Sequence, residues 1–490
     1  RLTTLSKGTQ IKTLSNYLNG TWVPSKSNEI LDIVNPATEE VLARVPMSTM
    51  LDLDDAVSAA QKAFYAWRQM PPAERAKYLF TFKNLLEQHF EEIARICTQE
   101  HGKTLAEARG DLRRGIDSVD VACGIPSLMQ GESLEDVGRG IDCVSYRRPM
   151  GVFAVIAPFN FPPMVPLWFL PHCIATGNTL VLKPSEQVPL SMQRIFELLH
   201  EAGLPPGVVN LVNGGKEIVK GMCEHPQIQG VSFVGSSPVA QFVYETAAKH
   251  GKRVQALGGA KNFVIVMPDA DVAKSVDVLV ESCFGCAGQR CLAGSTLIFV
   301  GSAYEKFKAP LLERIKRIKV GNGLDQGVEM GPAISPQSRD RILGLIQRGL
   351  DEGGELLIDG RKSHGQSKGY FLGPTVFDKV KPDMTIAREE VFGPVMAWLR
   401  AETLEDALAI LEEHPYGNTT SIFTSSGKTA REFAYRAEPS MIGINVGVAA
   451  PMSYFNFGGA KGSMFGDLKA HGKHGIEFYT DRKVVITRWF

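Results

Sequence analysis

The sequence has 490 residues, of which 44% are hydrophobic and 22% are charged, and its 53 basic residues balance its 53 acidic ones. This composition is ordinary for a globular protein of roughly two to four domains. The balanced charge removes the electrostatic reason to expect nucleic acid or an anionic membrane as a partner. The eight cysteines are too sparse for a disulfide framework and lack the paired spacing of zinc ligands, which favours a reducing compartment and no metal site.

No apolar secretion signal opens the sequence. We therefore expect a protein that is not secreted, in the cytoplasm of a bacterium or, in a eukaryote, in the mitochondrial matrix. A mostly apolar stretch over 152–171 has the length of a membrane span. Because its five prolines would break a helix, the stretch predicts a buried strand followed by a loop.

The elements in chain order predict an α/β protein. Residues 15–45 predict short strands and turns, and helices follow over 51–70, 72–89 and 91–101 and from about 104. Strands then alternate with helices in two blocks, which is typical of parallel doubly wound sheets. The strands of the first block are 151–157, 178–183, 208–212 and 231–234, and its helices are 190–202, 216–224 and 238–250. The second block begins near 254, with strands 263–267, 295–300, 355–358, 376–380, 395–399 and 420–422 and helices 272–284, 304–318, 335–352, 403–412 and 428–437. The tail, 483–489, predicts one strand that completes a small sheet, either within the chain or with another subunit.

Cys291 is the first candidate for chemistry, because it lies in a glycine-containing loop between a predicted helix and a predicted strand. A thiol near Arg290 and backbone N–H groups is expected to have a depressed pKa, which favours the reactive thiolate. A small buried core cysteine is the alternative. Cys286 lies in the same loop and is a rival nucleophile.

Asn160 ends a buried strand within Pro158-Phe-Asn-Phe-Pro162. A carboxamide at this position can donate a hydrogen bond to the oxyanion that forms when a thiolate attacks a carbonyl. The alternative is an asparagine that caps a turn among prolines.

Three further sites suit a dinucleotide. Gly235 and Ser236 stand between a strand and a helix N-terminus, where N–H groups and the helix dipole suit a phosphate. Lys183 and Glu186 follow a strand and could bracket a ribose, and a carboxylate there would favour NAD over NADP. Glu390, before a tight turn, could hold a nicotinamide riboside together with the aromatic ring of Phe392. Ordinary turns and solvated loops are the alternatives at each site.

Six motifs in this order resemble the aldehyde dehydrogenase superfamily over nearly the whole chain, from about Tyr17 to Trp489. They are Pro158-Phe-Asn-Phe-Pro162, Lys183-Pro-Ser-Glu186, Phe233-Val-Gly-Ser236, Leu257-Gly-Gly259, Gly288-Gln-Arg-Cys291 and Glu390-Val-Phe-Gly-Pro394.

The resemblance implies that Cys291 is the nucleophile and Asn160 the oxyanion donor. It also implies that NAD is held by Phe159, Lys183, Glu186, Gly235, Ser236, Glu390 and Phe392. The implied architecture has an NAD-binding domain (1–125 and 147–255), a catalytic domain (256–454) and an oligomerisation arm (126–146 and 466–490). A homodimer or homotetramer is expected.

One departure bears on the reaction. Hydrolytic members of the superfamily have Glu-Leu-Gly-Gly where this chain has Ala256-Leu-Gly-Gly259, and that glutamate activates the water that releases the acid. Without a base, hydrolysis of a thioester on Cys291 should be slow. A thiol such as coenzyme A has a lower pKa than water, so acyl transfer to coenzyme A is expected.

Neighbouring stretches, such as Gly259-Ala-Lys-Asn262 and Met267-Pro-Asp-Ala-Asp271, resemble the methylmalonate-semialdehyde dehydrogenases, which are the coenzyme A-acylating branch. The substrates of this branch carry a carboxylate. The resemblance therefore implies that Arg114 and Arg290 bind it, since a guanidinium suits bidentate carboxylate binding. Surface salt bridges are the alternative for both arginines.

The leading hypothesis is an NAD-dependent, coenzyme A-acylating oxidation of malonate or methylmalonate semialdehyde, with loss of CO2. The product would be acetyl- or propionyl-coenzyme A. A hydrolytic semialdehyde dehydrogenase that releases a free acid is one alternative. A catalytically inactive binding or scaffold protein on the same fold is the alternative of another class.

Overall fold

The structure, a computed structural model, describes residues 11–362 and 368–490. Its strands in chain order are β1 (Asn16–Leu18), β2 (Thr21–Val23), β3 (Ile30–Val34), β4 (Val41–Pro46), β5 (Glu132–Gly138), β6 (Ile141–Pro149), β7 (Val152–Ile156), β8 (Thr179–Lys183), β9 (Val209–Leu211), β10 (Ile228–Val234), β11 (Arg253–Leu257), β12 (Phe263–Val266), β13 (Thr296–Val300), β14 (Glu355–Ile358), β15 (Thr375–Asp378), β16 (Val395–Ala401), β17 (Tyr416–Gly417), β18 (Thr419–Phe423), β19 (Met441–Ile444), β20 (Ala460–Lys461), β21 (Met464–Phe465) and β22 (Thr480–Arg488).

The helices are α1 (Met50–Trp67), α2 (Pro72–Gln88), α3 (Phe90–His101), α4 (Leu105–Cys123), α5 (Ile125–Leu128), α6 (Met164–Ala175), α7 (Leu190–Glu201), α8 (Lys216–Glu224), α9 (Ser237–Lys249), α10 (Val272–Phe284), α11 (Ala303–Lys316), α12 (Pro336–Asp351), α13 (Thr385–Arg388), α14 (Leu404–Glu413), α15 (Gly427–Arg436) and α16 (Gly472–Tyr479). A short 3-10 helix, Gly285–Gly288, follows α10.

Two sheets confirm the predicted doubly wound α/β fold. The first has eight strands in the order β2-β1-β9-β8-β7-β10-β11-β21, and its five central strands, β9 to β11, are parallel. The second has seven strands in the order β14-β15-β16-β13-β12-β18-β19, and only its edge strand β14 is antiparallel. The sequence analysis did not anticipate β11 as a strand of the first sheet.

Strand β7 shows how the first sheet is buried on both faces. All five of its residues are buried. Phe153 and Val155 pack into an apolar cluster with residues of α4 and α6. Val152, Ala154 and Ile156 pack into a second cluster with residues of α1. Successive side chains of a strand point to opposite faces, so a strand with helices on both sides reads as a continuous apolar run.

The predicted loop after β7 is wrong, because residues 164–175 form helix α6. Pro166 lies in the first turn, where a backbone N–H has no partner within the helix. Pro171 lies inside the helix and costs it one hydrogen bond. Every residue from Val165 to Ala175 is buried, and this burial outweighs the loss. Among the described residues, no helix is long and apolar enough to cross a membrane.

The C-terminal strand β22 pairs antiparallel with β6, and β5 pairs with the other edge of β6. The predicted tail strand therefore completes a three-stranded sheet within its own chain. The first sheet continues through Leu257 in β11, two residues beyond the expected domain boundary. The division into domains stays a prediction, and residues 1–10 of its first segment lie outside the described chain.

Candidate active site

The loop that carries Cys291 is bent by three consecutive residues with positive φ. Cys286, Ala287 and Gly288 have φ of 53°, 54° and 74°, a conformation that is uncommon for non-glycine residues. A Cβ on Gly288 would lie 2.0 Å from the carbonyl oxygen of Gly393, so only glycine fits there. Backbone strain of this kind concentrates at functional sites.

Two asparagines that the sequence analysis missed hold the backbone of the nucleophile. The side chains of Asn262 and Asn418 donate to the carbonyl oxygen of Cys291 at 2.8 and 2.9 Å. Asn262 follows β11 and Asn418 precedes β18. Because they are far apart in the chain, only the tertiary structure could reveal this arrangement.

Cys291 lies on the wall shared by two cavities. The wide cavity, of about 600 Å3, opens at the carboxyl ends of β7, β8, β10 and β11. The narrow cavity, of about 410 Å3, lies beside α4 and α6. Ligands of doubly wound proteins bind outside the carboxyl ends of the strands, where the strand order reverses. In this sheet the reversal falls between β7 and β10.

All seven residues expected to hold a dinucleotide line the wide cavity, together with Asn160 and Cys291. The seven are Phe159, Lys183, Glu186, Gly235, Ser236, Glu390 and Phe392. They come from four separate stretches of the chain, and three of these stretches lie at the carboxyl ends of the parallel strands β7, β8 and β10.

The ammonium group of Lys183 is largely occupied by protein acceptors. It donates to the carbonyl oxygens of Pro184 at 2.7 Å and Gly214 at 2.9 Å, and to the Glu186 carboxylate at 3.3 Å. Burial lowers the pKa of Lys183, although the Glu186 charge opposes this. The long bond to Glu186 is the one that a ribose hydroxyl could most easily replace.

Ser236 is the N-cap residue of α9, but its side chain makes no capping hydrogen bond. The amino end of this 13-residue helix therefore lies at the wide cavity without a side-chain cap, which suits a phosphate. A Cβ on Gly235 would lie 2.5 Å from the Phe233 ring, so a larger residue would push this turn out of place.

Glu390 lies against Gly259, where a Cβ would come within 2.4 Å of the carboxylate. Burial raises the pKa of Glu390 to about 7, against the opposing effects of the Ala260 N–H and of Lys261. Phe392 has a positive φ of 53°, and its ring meets the Phe159 ring edge-on at 5.7 Å.

The predicted depression of the Cys291 pKa is wrong. Burial, followed by the charge of Glu390, raises the pKa of the thiol to about 12, and the opposing effect of Arg290 is smaller. The rival Cys286 also has a raised pKa, about 11, again because of burial. Cys291 is therefore a thiol in this structure and must lose its proton when it attacks a carbonyl group.

Asn160 is 5% exposed, and its backbone carbonyl accepts a 2.8 Å hydrogen bond from Lys103. Asn160 lines the wide cavity together with Cys291. Among the described residues, no group hydrogen-bonds to the Asn160 carboxamide, so it is free to donate to a ligand.

Arg114 and Arg290 both line the narrow cavity with Cys291 and Cys286. Arg114 donates to the carbonyl oxygen of Pro451 at 3.2 Å, and Arg290 donates to that of Ser282 at 3.0 Å. Within the described ranges, neither guanidinium group has a carboxylate partner within 4.0 Å. This excludes the salt bridges that were the alternative for both arginines.

Most of the remaining wall of the narrow cavity is apolar, with Phe161, Met164, Trp168, Val448 and Phe457 among its residues. The wall also contains three carboxylates, those of Glu107, Asp111 and Glu281. Glu107 accepts from the Cys286 N–H, and Asp111 accepts from Lys103. The two guanidinium groups have no carboxylate contact in the described part of the chain and are the groups of this cavity that suit a small organic anion.

Ala256 is fully buried in β11, between its partners Phe233 and Phe465 on the neighbouring strands. It brings no carboxylate to the nucleophile. Glu390 is the carboxylate whose charge acts on the Cys291 thiol.

The match to the aldehyde dehydrogenase family covers residues 22–485, and the chain belongs to this family. It is 50% identical to malonate-semialdehyde dehydrogenase 1 of Geobacillus kaustophilus, over 97% of this chain and 98% of that one. It is 44% identical to the crystal structure of a methylmalonate-semialdehyde dehydrogenase of Oceanimonas doudoroffii, with a TM-score of 0.96 over 98% and 99% of the two chains. A Sinorhizobium meliloti protein, assigned as a methylmalonate-semialdehyde dehydrogenase and solved with NAD, is 41% identical, with a TM-score of 0.96 over 98% of each chain.

Proposed function

We propose that this protein is an NAD-dependent, coenzyme A-acylating dehydrogenase of malonate or methylmalonate semialdehyde. One observation carries the proposal: Cys291 forms part of both cavities, one lined by the expected dinucleotide residues and the other by two arginines without carboxylate partners. The names of the relatives, malonate- and methylmalonate-semialdehyde dehydrogenases, support the same substrates.

Each residue of the site has its own role in the proposed reaction. The Cys291 sulfur attacks the aldehyde carbon, and the Asn160 carboxamide donates to the oxygen that becomes negative. Arg114 and Arg290 hold the substrate carboxylate in the narrow cavity. The proton of the Cys291 thiol passes to water on attack, the aldehyde hydrogen leaves as hydride to the acceptor that NAD would supply, and a thioester remains on Cys291. Loss of the carboxylate as CO2 leaves a carbanion that takes up a proton from water. The thiol of coenzyme A displaces the acyl group, and the Cys291 sulfur takes up a proton again.

The wide cavity fits NAD by the chemistry of its walls. Lys183 and Glu186 would hold the adenosine ribose, the amino end of α9 suits the pyrophosphate, and Glu390 and Phe392 would hold the nicotinamide ribose. When bound, NAD supplies the hydride acceptor. The residues of the chain orient it, and the charge of Glu186 disfavours a 2′-phosphate.

Acyl transfer to coenzyme A, not hydrolysis, follows from Ala256, which offers no carboxylate to activate water. One observation favours the hydrolytic alternative: Glu390 has a pKa raised to about 7, which is the range of an effective general base at neutral pH. The same carboxylate is expected to bind the nicotinamide ribose, so the two roles compete for it.

The test measures NADH formation from malonate semialdehyde and methylmalonate semialdehyde, with and without coenzyme A, and identifies the product by mass spectrometry. Without coenzyme A we expect a burst of NADH equal to the enzyme concentration, and with it we expect continuous turnover to a thioester. The Cys291→Ser variant should give neither. Continuous turnover to a free acid without any thiol would reject the acylating proposal in favour of hydrolysis.

We also propose that the protein acts as a homo-oligomer in a reducing compartment such as the cytoplasm. The three-stranded sheet exposes large apolar residues, among them Leu134, Tyr146, Val484 and Ile486, and exposed apolar patches of this kind mark interaction surfaces. All eight cysteines are free thiols, as expected where disulfides do not form. Size-exclusion chromatography with light scattering tests the oligomer.

A further inference from the structure

A buried ion pair stands behind the turn that carries Asn160. Lys103, between α3 and α4, and Asp111, in α4, have fully buried side chains, and their charged atoms are 2.9 Å apart. Burial opposes the charge of Lys103, but Asp111 and the other neighbouring groups outweigh it and raise the pKa of Lys103. Burial also raises the pKa of Asp111, against the opposing effect of Lys103. Each group is the direct partner of the other, and an isolated charge at either position would be costly.

The pair contacts the middle of the segment that joins β7 to α6 and the first residue of α6. Lys103 donates to the carbonyl oxygen of Asn160 at 2.8 Å. The second oxygen of the Asp111 carboxylate accepts from the backbone N–H of Met164 at 2.8 Å. The ammonium group also lies 4.1 Å from the centre of the Phe161 ring, which is a favourable cation–π distance.

Its own backbone holds this segment only at its carbonyl groups, because the N–H groups of Val165 and Leu167 donate to the carbonyl oxygens of Phe161 and Pro163 at 3.3 Å. Between Asn160 and Met164 stand Phe161, Pro162 and Pro163, and the two prolines have no N–H to donate. The carbonyl group of Asn160 and the N–H of Met164 instead find their partners on α4 and on the residue before it. The conformation of the turn at Asn160 therefore depends in part on these two contacts from outside the segment.

The ion pair connects residues that line the two cavities. Asp111 lines the narrow cavity, and Asn160 lines the wide one. Neither charged group has to touch the aldehyde to affect the reaction, because the direction of the Asn160 carboxamide depends on the backbone that the pair holds.

We propose that Lys103 and Asp111 are positioning residues that aim the Asn160 carboxamide at the oxygen of the substrate as it becomes negative. The inference rests on the proposed role of Asn160 as oxyanion donor. Loss of one such donor costs about 100- to 1,000-fold in kcat, and a displacement of about 1 Å can cost ~100-fold. A loosened turn should therefore lower kcat by roughly 10- to 100-fold.

The test compares two reactions of the same thiol. Lys103→Gln and Asp111→Asn should each lower kcat for aldehyde oxidation, with little change in the KM for NAD. Alkylation of Cys291 by iodoacetamide should stay within about threefold of the wild type, because displacement at a saturated carbon forms no oxyanion. Equal losses in both reactions would show general damage to the site and would overturn the proposal.

A double-mutant cycle with Asn160→Ala completes the test. If the ion pair acts through Asn160, then Lys103→Gln should cause little further loss of kcat in the Asn160→Ala background, because residues that act as a unit are not additive. Additive losses would overturn the proposal. If Lys103→Gln fails to fold, the more conservative Asp111→Asn carries the cycle alone. Full activity of Asn160→Ala by itself would instead disprove the proposed oxyanion role.

Discussion

Glu477 offers a sharp test of the electrostatics that join the three-stranded sheet to the body of the protein. This residue of α16 accepts from Arg147 of β6 at 2.7 Å and from Arg482 of β22 at 2.6 Å. The two hydrogen bonds outweigh partial burial and lower the pKa of Glu477 to about 2. The perturbation is Glu477→Gln, which keeps the shape of the side chain and removes its charge.

The magnitude follows from the change in pKa. A fall from 4.5 to about 2 corresponds to about 3 kcal/mol of stability in the charged state. The Glu477 side chain is 28% exposed and that of Arg482 is 44% exposed, so screening by solvent reduces the expected contribution to roughly 1–2 kcal/mol. Because the entropy of unfolding grows with chain length and this chain has 490 residues, a loss of this size should lower Tm by about 1–2 °C at pH 7.

The sign of the pH dependence follows from the lowered pKa. A carboxylate whose pKa is lowered by folding contributes its stability in full above the pKa of the unfolded chain, and the contribution disappears as the pH falls through the pKa of the folded state. For Glu477 this window lies between 4.5 and about 2. The difference in Tm between wild type and Glu477→Gln should therefore be constant from pH 7 to about pH 5 and narrow towards pH 3.

The assay is differential scanning fluorimetry of both proteins across this range. Glu132→Gln is the matched control, because Glu132 also faces Arg482, but at 3.5 Å and with 78% of its side chain exposed. It should change Tm by less than the equivalent of about 0.5 kcal/mol. If Glu477→Gln behaves like Glu132→Gln, or if its deficit persists unchanged at pH 3, the reasoning is refuted.

Three further predictions concern the active site. Glu390→Gln should speed the alkylation of Cys291 by iodoacetamide severalfold at pH 8, because the charge of Glu390 raises the pKa of the thiol. The same dependence of the alkylation rate on pH in the variant and the wild type would contradict this. Arg114→Leu should raise the KM for malonate semialdehyde about tenfold or more but leave that for propanal unchanged, and equal effects on both substrates would disprove carboxylate binding by Arg114. Gly288→Ala should abolish oxidation or yield no folded protein, since a Cβ would lie 2.0 Å from the Gly393 carbonyl oxygen; wild-type turnover would show that the loop can shift.

Local sequence patterns were sufficient to predict elements whose structure depends mainly on their own residues. The apolar runs of β7 and β8 predicted buried parallel strands, because a strand covered on both faces has no polar side. The pattern failed at α6, where prolines indicated a loop. There, burial on all sides outweighed the local preference, and only the packing of the neighbouring helices decides such a case.

Some residues of the candidate site could likewise be named from the sequence, whereas others were revealed only by the structure. Cys291, Asn160 and the dinucleotide residues could be named from their motifs, and the absence of a carboxylate at Ala256 is also a property of the sequence. The ion pair of Lys103 and Asp111 had no signal in the sequence. Lys and Asp side chains are usually solvated, and the burial of this pair depends on the turn that packs against it.

The sequence alone therefore determined which groups are available: a thiol, a carboxamide and two guanidinium groups in an α/β chain. The tertiary structure decided how they behave. It placed Cys291 between two cavities and, through burial and Glu390, raised the pKa of the thiol to about 12 where the motif alone predicted a lower value. The reason is physical, because desolvation and the charge of a group about 100 residues away along the chain exist only once the chain has folded.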